Sequence, residues 1–329
     1  MLGTAPRHER AALAQAAGTR HLRPPMDAPL FDTTLARRRL ARARAAGYAD
    51  FLLARVAEDL EDRLAAVLRR FTDAVDLGTP ASAAARLLAR RPEAATTLRL
   101  APLPEPAESG FALAVADPEA LPLGPASIDL AVSLLALQGV NDLPGTLIQL
   151  RRALRPDGLF LGCLLGGATL TELRQSFGQA ESEVEGGVSP RVAPFAAVRE
   201  LGSLMQRAGF ALPVVDAETV TVRYADPFRL MRDLRALGLT NVLAERRRTP
   251  LRRDTLMRAA ALYQERFADP DGRVRATFEL LWVSGWAPHA SQQKPLRPGS
   301  AQTRLADALG TTELHAGLTS GPSKDRSAP

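Results

Sequence analysis

The sequence predicts an α/β fold, a doubly wound and mostly parallel sheet, and three stretches predict it. The first runs from Ala74 to Ala89 (AVDLGTPASAAARLLA). A short apolar strand ending Val75-Asp76-Leu77, then Gly78, a loop and an Ala-rich helix form the opening βα unit of such a domain. The second is Ile128 to Leu135 (IDLAVSLL), an apolar run of the kind that fills a strand buried on both faces. The third follows it. A helix with Leu143, Leu147, Leu150 and Leu154 on one face ends at Arg155-Pro156-Asp157-Gly158 and feeds the apolar strand Leu159 to Leu165. Strand, helix, Pro-Asp-Gly turn and strand make a right-handed crossover.

The first stretch also locates a ligand site. Nucleotide-type cofactors sit at the carboxyl end of the opening strand, where N–H groups at a helix start face a polar or anionic ligand. A glycine-rich loop is expected there, and Gly78 is the one glycine present. Thr79, Pro80 and Ala81 stand where close backbone approach favours glycine, and Pro80 has no N–H to donate.

In chain order, residues 1–29 show no sustained apolar period and carry Pro24-Pro25 before Met26. They read as a disordered extension or as a start placed ahead of Met26, with a targeting peptide as the other reading. From Phe31 to Phe71 the period is helical, with Phe51, Leu52, Val56, Leu60, Leu64, Val67 and Leu68 at spacings of three and four. Thr96 to Leu100 reads as the second strand. Its end usually carries an acid for ribose hydroxyls, but Ala101-Pro102 and a Pro-rich turn follow. The third strand, Phe111 to Ala116, ends at Asp117-Pro118, where Asp117 either accepts from an adenine amino group or caps the next turn. Asn141 or Asp142 caps the helix that has Pro144 in its first turn.

The second half continues with helices at Thr169 to Glu183 and Val198 to Ala208, the latter followed by Gly209 as its C′ residue. The loop Gly186 to Arg191 between them is mobile in composition and placed to border a pocket. Val214 to Tyr224 and Thr277 to Trp286 read as strands. Between them lie helices at Pro227 to Leu237 and Asp254 to Phe267, an inserted helical lid or plain scaffold. The domain reading is therefore an extension (1–29) and one domain (30–287), then a flexible tail (288–329). The domain comprises N-terminal helices (30–72), a cofactor half (73–166) and a substrate half (167–287) with the insertion at 227–268.

Composition narrows the function. Cys163 is the single cysteine, which excludes an internal disulfide, suits a reducing, cytoplasmic setting, and reads as a small buried hydrophobe. His8, His21, His289 and His315 lie near the chain ends with no ligand cluster, so no metal is expected. The formal charge is +6, and Lys294 and Lys324 are the only lysines. The arginine runs 37–44 and 246–253 read as solvated faces or as surfaces for an acidic partner, lipid headgroups or nucleic acid. No nucleic-acid-binding motif supports the last. No apolar run reaches the roughly 20 residues of a membrane span, which leaves peripheral association open.

The order of elements resembles a class I S-adenosylmethionine-dependent methyltransferase. Val75-Asp76-Leu77-Gly78, the Asp117 to Pro122 segment, Asp129 to Ser133 and Leu154-Arg155-Pro156-Asp157-Gly158 carry that resemblance. VNDLPG (140–145), RRALRPDGLFL (151–161), SPRVAPF (189–195), FADPDGR (267–273) and GWAPHASQQKPLRPGSA (285–301) are similar to one branch, the bacterial relatives of the mitochondrial complex I assembly factor that hydroxylates an arginine. Such proteins are often labelled as relatives of the biotin-pathway methyltransferase.

The resemblance implies a seven-stranded methyltransferase-type sheet with its last strand antiparallel and S-adenosylmethionine as cofactor. It places cofactor contacts at Asp76, Gly78, Thr79, Asp117, Pro118, Ser133 and Leu134. The implied partner is a protein substrate, a complex I subunit, with an arginine as the modified residue and no nucleic acid involved. The alternatives are a non-catalytic assembly protein and a carrier-protein or small-molecule methyltransferase. No side chain stands out as a catalytic base. Tyr224, Trp282 and Trp286 read as core or pocket wall.

Three positions depart from the family pattern: Thr79-Pro80-Ala81 in the first loop, Gly139 where the family usually has Trp, and the absent ribose acid. A hydrogen bond to a charged group contributes roughly 1.5–3 kcal/mol, so losing the acid and one loop N–H is expected to weaken cofactor binding about a hundred- to a thousandfold.

Overall fold

The computed structural model describes residues 28–293 together with Gly310. All but the last two residues of the expected extension, and most of the expected tail, lie outside the described residues. Seven strands form one sheet: β1 Asp73–Leu77, β2 Thr96–Ala101, β3 Ala112–Val115, β4 Ile128–Leu134, β5 Leu154–Leu165, β6 Ala211–Tyr224 and β7 Val274–Trp286. Their order is β3-β2-β1-β4-β5-β7-β6. Strands β1 to β5 pair in parallel, and β7 runs antiparallel to both β5 and β6. Chain order reverses between β1 and β4, which opens a crevice at the carboxyl ends of these strands.

Eight α-helices accompany the sheet among the described residues: α1 Thr33–Ala45, α2 Phe51–Ala65, α3 Ala83–Ala89, α4 Leu143–Ala153, α5 Thr171–Glu185, α6 Val198–Arg207, α7 Pro227–Ala236 and α8 Arg253–Phe267. The period of α2 buries Leu52, Leu53, Val56, Leu60 and Leu64. They join one core layer with Leu130, Leu161, Phe177, Tyr263 and Trp282. The other layer, with Leu147 and Leu150 of α4 and Leu201 and Met205 of α6, covers Val75, Leu77 and Ala131. Burying each Leu or Val side chain contributes about 1.5–3 kcal/mol, so the two layers hold the sheet from both faces.

Strand β4 is buried along all seven residues. That includes Asp129, whose carboxylate accepts from Thr72 Oγ1 at 2.7 Å, from the Thr72 and Asp73 N–H groups at 3.2 Å, and from Arg155 at 3.0 Å. Burial works to raise this carboxyl; the hydrogen bonds from Thr72 and Arg155 outweigh it and hold it below the ordinary value.

Several boundaries differ from the sequence expectation: β6 and β7 each begin three residues early, at Ala211 and Val274, and two further differences have a tertiary cause. Arg155 to Gly158 is not a turn: β5 runs unbroken from Leu154, Asp157 takes a left-handed φ of 63°, and the register jumps from Ile128↔Leu154 to Leu130↔Leu159. The reason is tertiary pairing. The Asp157 N–H donates to Ala287 O at 3.0 Å and the Ala287 N–H to Gly158 O at 2.8 Å, which satisfies the bulged backbone. Helix α5 begins two residues late because Thr169 Oγ1 is paired with the backbone of Glu279 in β7. Among the aromatic residues, Tyr224 and Trp282 are buried in the core and Trp286 packs on Phe71. Cys163 is buried, and desolvation raises its thiol far above its ordinary value.

Candidate functional site

A cavity of about 960 Å³ occupies the crevice. Its floor is formed by Gly78 and Pro80 after β1, Pro102 after β2, Asp117 and Pro118 after β3, and Leu135, Ala136 and Gly139 after β4. Helices α1 and α7 supply the facing wall with Arg37, Leu40, Phe228, Met231 and Leu234. Gly78 has a left-handed φ of +69° and donates its N–H to Leu100 O at 2.8 Å, and a Cβ there would meet Ala136 Cβ at 3.2 Å. The backbone of β1 and β4 therefore comes together at a point where only glycine fits without strain.

Below this floor lies a buried ionic network that sequence reasoning missed. Asp76 and Arg99 face each other across the β1–β2 register, both fully buried, with Arg99 Nη1 at 2.5 Å from the carboxylate. Arg99 donates to the Thr79 carbonyl at 3.0 Å and binds Glu105. Glu105 in turn meets Arg44 of α1 at 3.0 Å, and Arg44 Nε donates to the Pro80 carbonyl at 2.7 Å. Thr79 Oγ1 donates to Asp76 and accepts from Leu134 N–H at 3.2 Å. The loop that lacks glycines is thus held by its carbonyls, each pinned by a guanidinium.

Burial pushes the Asp76 carboxyl above its ordinary value against the pull of Arg99 and Thr79. Desolvation opposes the Arg99 charge, but Glu105 and Asp76 more than reverse it, so its pKa is raised. The one available signal was Arg99 itself, a charge in the middle of the strand TTLRLA.

The seven residues named from sequence separate into two groups. Gly78, Asp117 and Pro118 line the cavity. Asp76, Thr79, Ser133 and Leu134 are fully buried beneath it: Ser133 Oγ donates to Leu77 O at 2.8 Å, and the other three meet in the network described above. For Asp117 the structure shows the capping reading together with an ion pair to α1. One carboxylate oxygen accepts from the Glu119 N–H at 3.0 Å and caps the turn, while the other faces Arg37 at 2.7 Å. Asp142 caps α4 by accepting from Gly145 N–H at 2.8 Å. Asn141 instead pairs with both backbone groups of Phe31, at 2.8 and 3.2 Å, and so ties the N-terminal segment to the cavity wall. Gly139 lines the cavity with no atom within 4 Å of a built Cβ.

The loop after α5 borders the cavity through Arg191, Val192 and Phe195. It is firmly held. The buried Glu181 carboxylate accepts from Ser189 N–H and Oγ at 2.7 Å each and from Arg191 Nε at 2.7 Å. Burial works to raise Glu181, and the bonds from Ser189 and Arg191 outweigh it and hold its pKa below the ordinary value. The helical insertion divides in role: α7 walls the cavity, whereas α8 adds Leu256 to that wall and buries Thr255, Ala259, Ala260, Leu262 and Tyr263. Among the described residues no three His, Cys, Asp or Glu side chains converge at metal-binding distance, and no helix is long and apolar enough to cross a membrane.

Comparison with known proteins places this geometry. A methyltransferase-domain family model matches residues 54–162. The chain is 40% identical over 265 residues to the mitochondrial arginine-hydroxylase NDUFAF5 of Danio rerio, covering 78% of this chain and 82% of the relative. The human protein of the same name is also 40% identical over 265 residues, covering 78% and 76%. The malonyl-[acyl-carrier protein] O-methyltransferase of Xylella fastidiosa (strain M23) is 39% identical over 178 residues, covering 54% of this chain and 58% of that one.

Proposed function

Since the chain belongs to the family of the arginine-hydroxylase NDUFAF5, built on a methyltransferase domain, we propose that it binds S-adenosylmethionine and modifies an arginine of a protein substrate during respiratory complex I assembly. The observation that carries this reading is the match to that family over 78% of this chain and 82% of the relative, which takes in the second half of the chain as well as the cofactor half. The malonyl-carrier methyltransferase match spans only about half of either chain.

The residues present fit the cofactor. Gly78 and the adjoining backbone of Leu135 and Ala136 offer the close approach that its amino-acid portion needs, and a Cβ at residue 78 would fill that cradle. Asp117 and Pro118 lie where an adenine ring would be gripped, Asp117 accepting from its amino group. Asp76, Thr79, Ser133 and Leu134 act one layer below as positioning residues, holding the loop that Gly78 opens. When bound, the cofactor supplies an electrophilic sulfonium beside the substrate. The apolar wall of Leu40, Phe195, Phe228 and Met231 excludes water from an inserted side chain.

This reading is tested by deleting the gene in its host, restoring it as wild type or as Asp117→Ala/Gly78→Val, and weighing complex I subunit peptides by mass spectrometry. The expected result is an arginine heavier by one methyl group or by one oxygen atom that the wild type restores and the variant does not. Full restoration by the variant contradicts an enzymatic role for the cofactor site.

A further inference from the structure

Among the described residues six arginines line the cavity, at positions 37, 39, 42, 191, 232 and 235, against two acids, Asp117 and Glu119. Two of the six are neutralised by carboxylates: Arg37 by Asp117 and Arg191 by Glu181. Arg39 is spent on the Asn241 carbonyl. Arg42 on α1 and Arg232 and Arg235 on α7 are exposed, and their guanidiniums have no hydrogen bond or ion pair among the described residues. Glu119 is committed to the Asn141 N–H at 2.7 Å. Helices α1 and α7 pack against each other. The three free guanidiniums therefore line one cavity from two packed helices on its solvent-exposed side, and this excess of positive charge belongs to the rim; the buried arginines below it are matched by acids.

We propose that this rim docks acidic residues flanking the target side chain of the protein substrate, so that the enzyme selects an arginine set in an acidic segment. The inference rests on the function proposed above and adds a sequence preference to it. A side chain that enters the cavity leaves its flanking backbone lying across the mouth, where Arg42, Arg232 and Arg235 meet whatever its neighbours carry. Acidic neighbours are attracted and basic ones repelled, which raises the association rate and suppresses wrong partners. The charges border a concave cavity along the wall made by two helices, a shape that a peptide can enter and a flat lipid surface cannot. The arginine run 37–44, which the sequence left open, thus divides: Arg44 belongs to the buried network and Arg42 to the rim.

The test uses the full-length protein and short fluorescent peptides with a central arginine flanked by aspartate and glutamate, by serine and glycine, or by lysine, with anisotropy as readout at low and at physiological salt. The acidic peptide is expected to bind about tenfold or more tighter than the neutral one, with the gap shrinking as salt rises. The triple reversal R42E/R232E/R235E, and separately the neutral R42Q/R232Q/R235Q, is expected to erase that preference while leaving the melting temperature and S-adenosylmethionine binding unchanged. Equal binding of acidic and neutral peptides overturns the proposal. So does an acidic-peptide preference that survives both triple variants. Anionic phosphatidylglycerol vesicles held through these arginines, with no preference for the acidic peptide, overturn it in favour of a lipid surface. If the acidic preference is present but no arginine is ever modified, docking stands and the function proposed above falls; modification with no flank preference gives the reverse.

Discussion

Two sets of arginines in this molecule show how one residue type serves opposite ends. Below the cavity, Arg99 is sealed from water between Asp76 and Glu105 and holds the loop after β1 in shape. At the mouth, Arg42, Arg232 and Arg235 are exposed and have no side-chain partner among the described residues. The buried set has neutralised its charge and contributes order; the rim set keeps its charge and contributes a field. A net charge of +6 cannot distinguish them, because what matters is which arginine has an acid within reach.

The contrast is broken most severely at Arg99. Arg99→Leu strands Asp76 in the interior, and removing one member of a buried ion pair costs about 3–5 kcal/mol. Chemical denaturation is expected to show a loss of that size, and Asp76→Leu in the same chain to restore most of it, since an apolar pair of similar volume is often neutral. The same chemistry at the rim predicts nothing of the kind: Arg232→Gln is expected to shift stability by no more than about 0.5 kcal/mol.

The site between the two sets responds at intermediate size. Asp117→Ala removes an acceptor worth about 1.5–3 kcal/mol to a bound donor, so affinity for S-adenosylmethionine is expected to fall about ten- to hundredfold in calorimetry with the melting temperature nearly unchanged. Gly78→Ala forces a side chain into a left-handed φ with a Cβ contact at 3.2 Å. A cost of about 1–2 kcal/mol, roughly a tenfold loss of affinity, is expected.

Glu181 sharpens the comparison through pH. Its pKa is lowered in the folded chain by Ser189 and Arg191 against burial, so its contribution is complete above the unfolded value of 4.5 and is lost as pH falls through the folded value. Below pH 4.5 the unfolded state binds more protons and stability declines. Glu181→Gln is expected to lower the melting temperature at neutral pH and to flatten that acid decline. Gly139→Trp is expected to have the smallest effect on folding, because a side chain there enters open cavity, and to narrow the space for substrate.

Much of the architecture was legible because it is written in local pattern. The uniformly apolar β4, the 3.6-residue period of α2 and the Asp142-Leu143-Pro144 helix start each act over a few residues. The Arg155 to Gly158 segment was misread because its backbone is satisfied by Ala287, far along the chain, and no local signal announces that pairing. The cavity floor at Gly78 and Asp117 followed from strand ends. The roles of Asp76 and Thr79 did not, since they depend on Arg99 arriving beside them in register on β2 and on Arg44 reaching in from α1. The missing glycines therefore suggested a weakened loop, whereas the folded chain supports that loop from beneath.

The most direct test of this account is a calorimetric titration of the wild-type protein with S-adenosylmethionine, alongside Arg99→Leu/Asp76→Leu, which keeps the fold but removes the support. Micromolar binding by the wild type and at least about tenfold weaker binding by the double variant are predicted. No binding by the wild type up to millimolar cofactor, or equal binding by both proteins, contradicts the claim that arginines do for this loop what glycines do elsewhere.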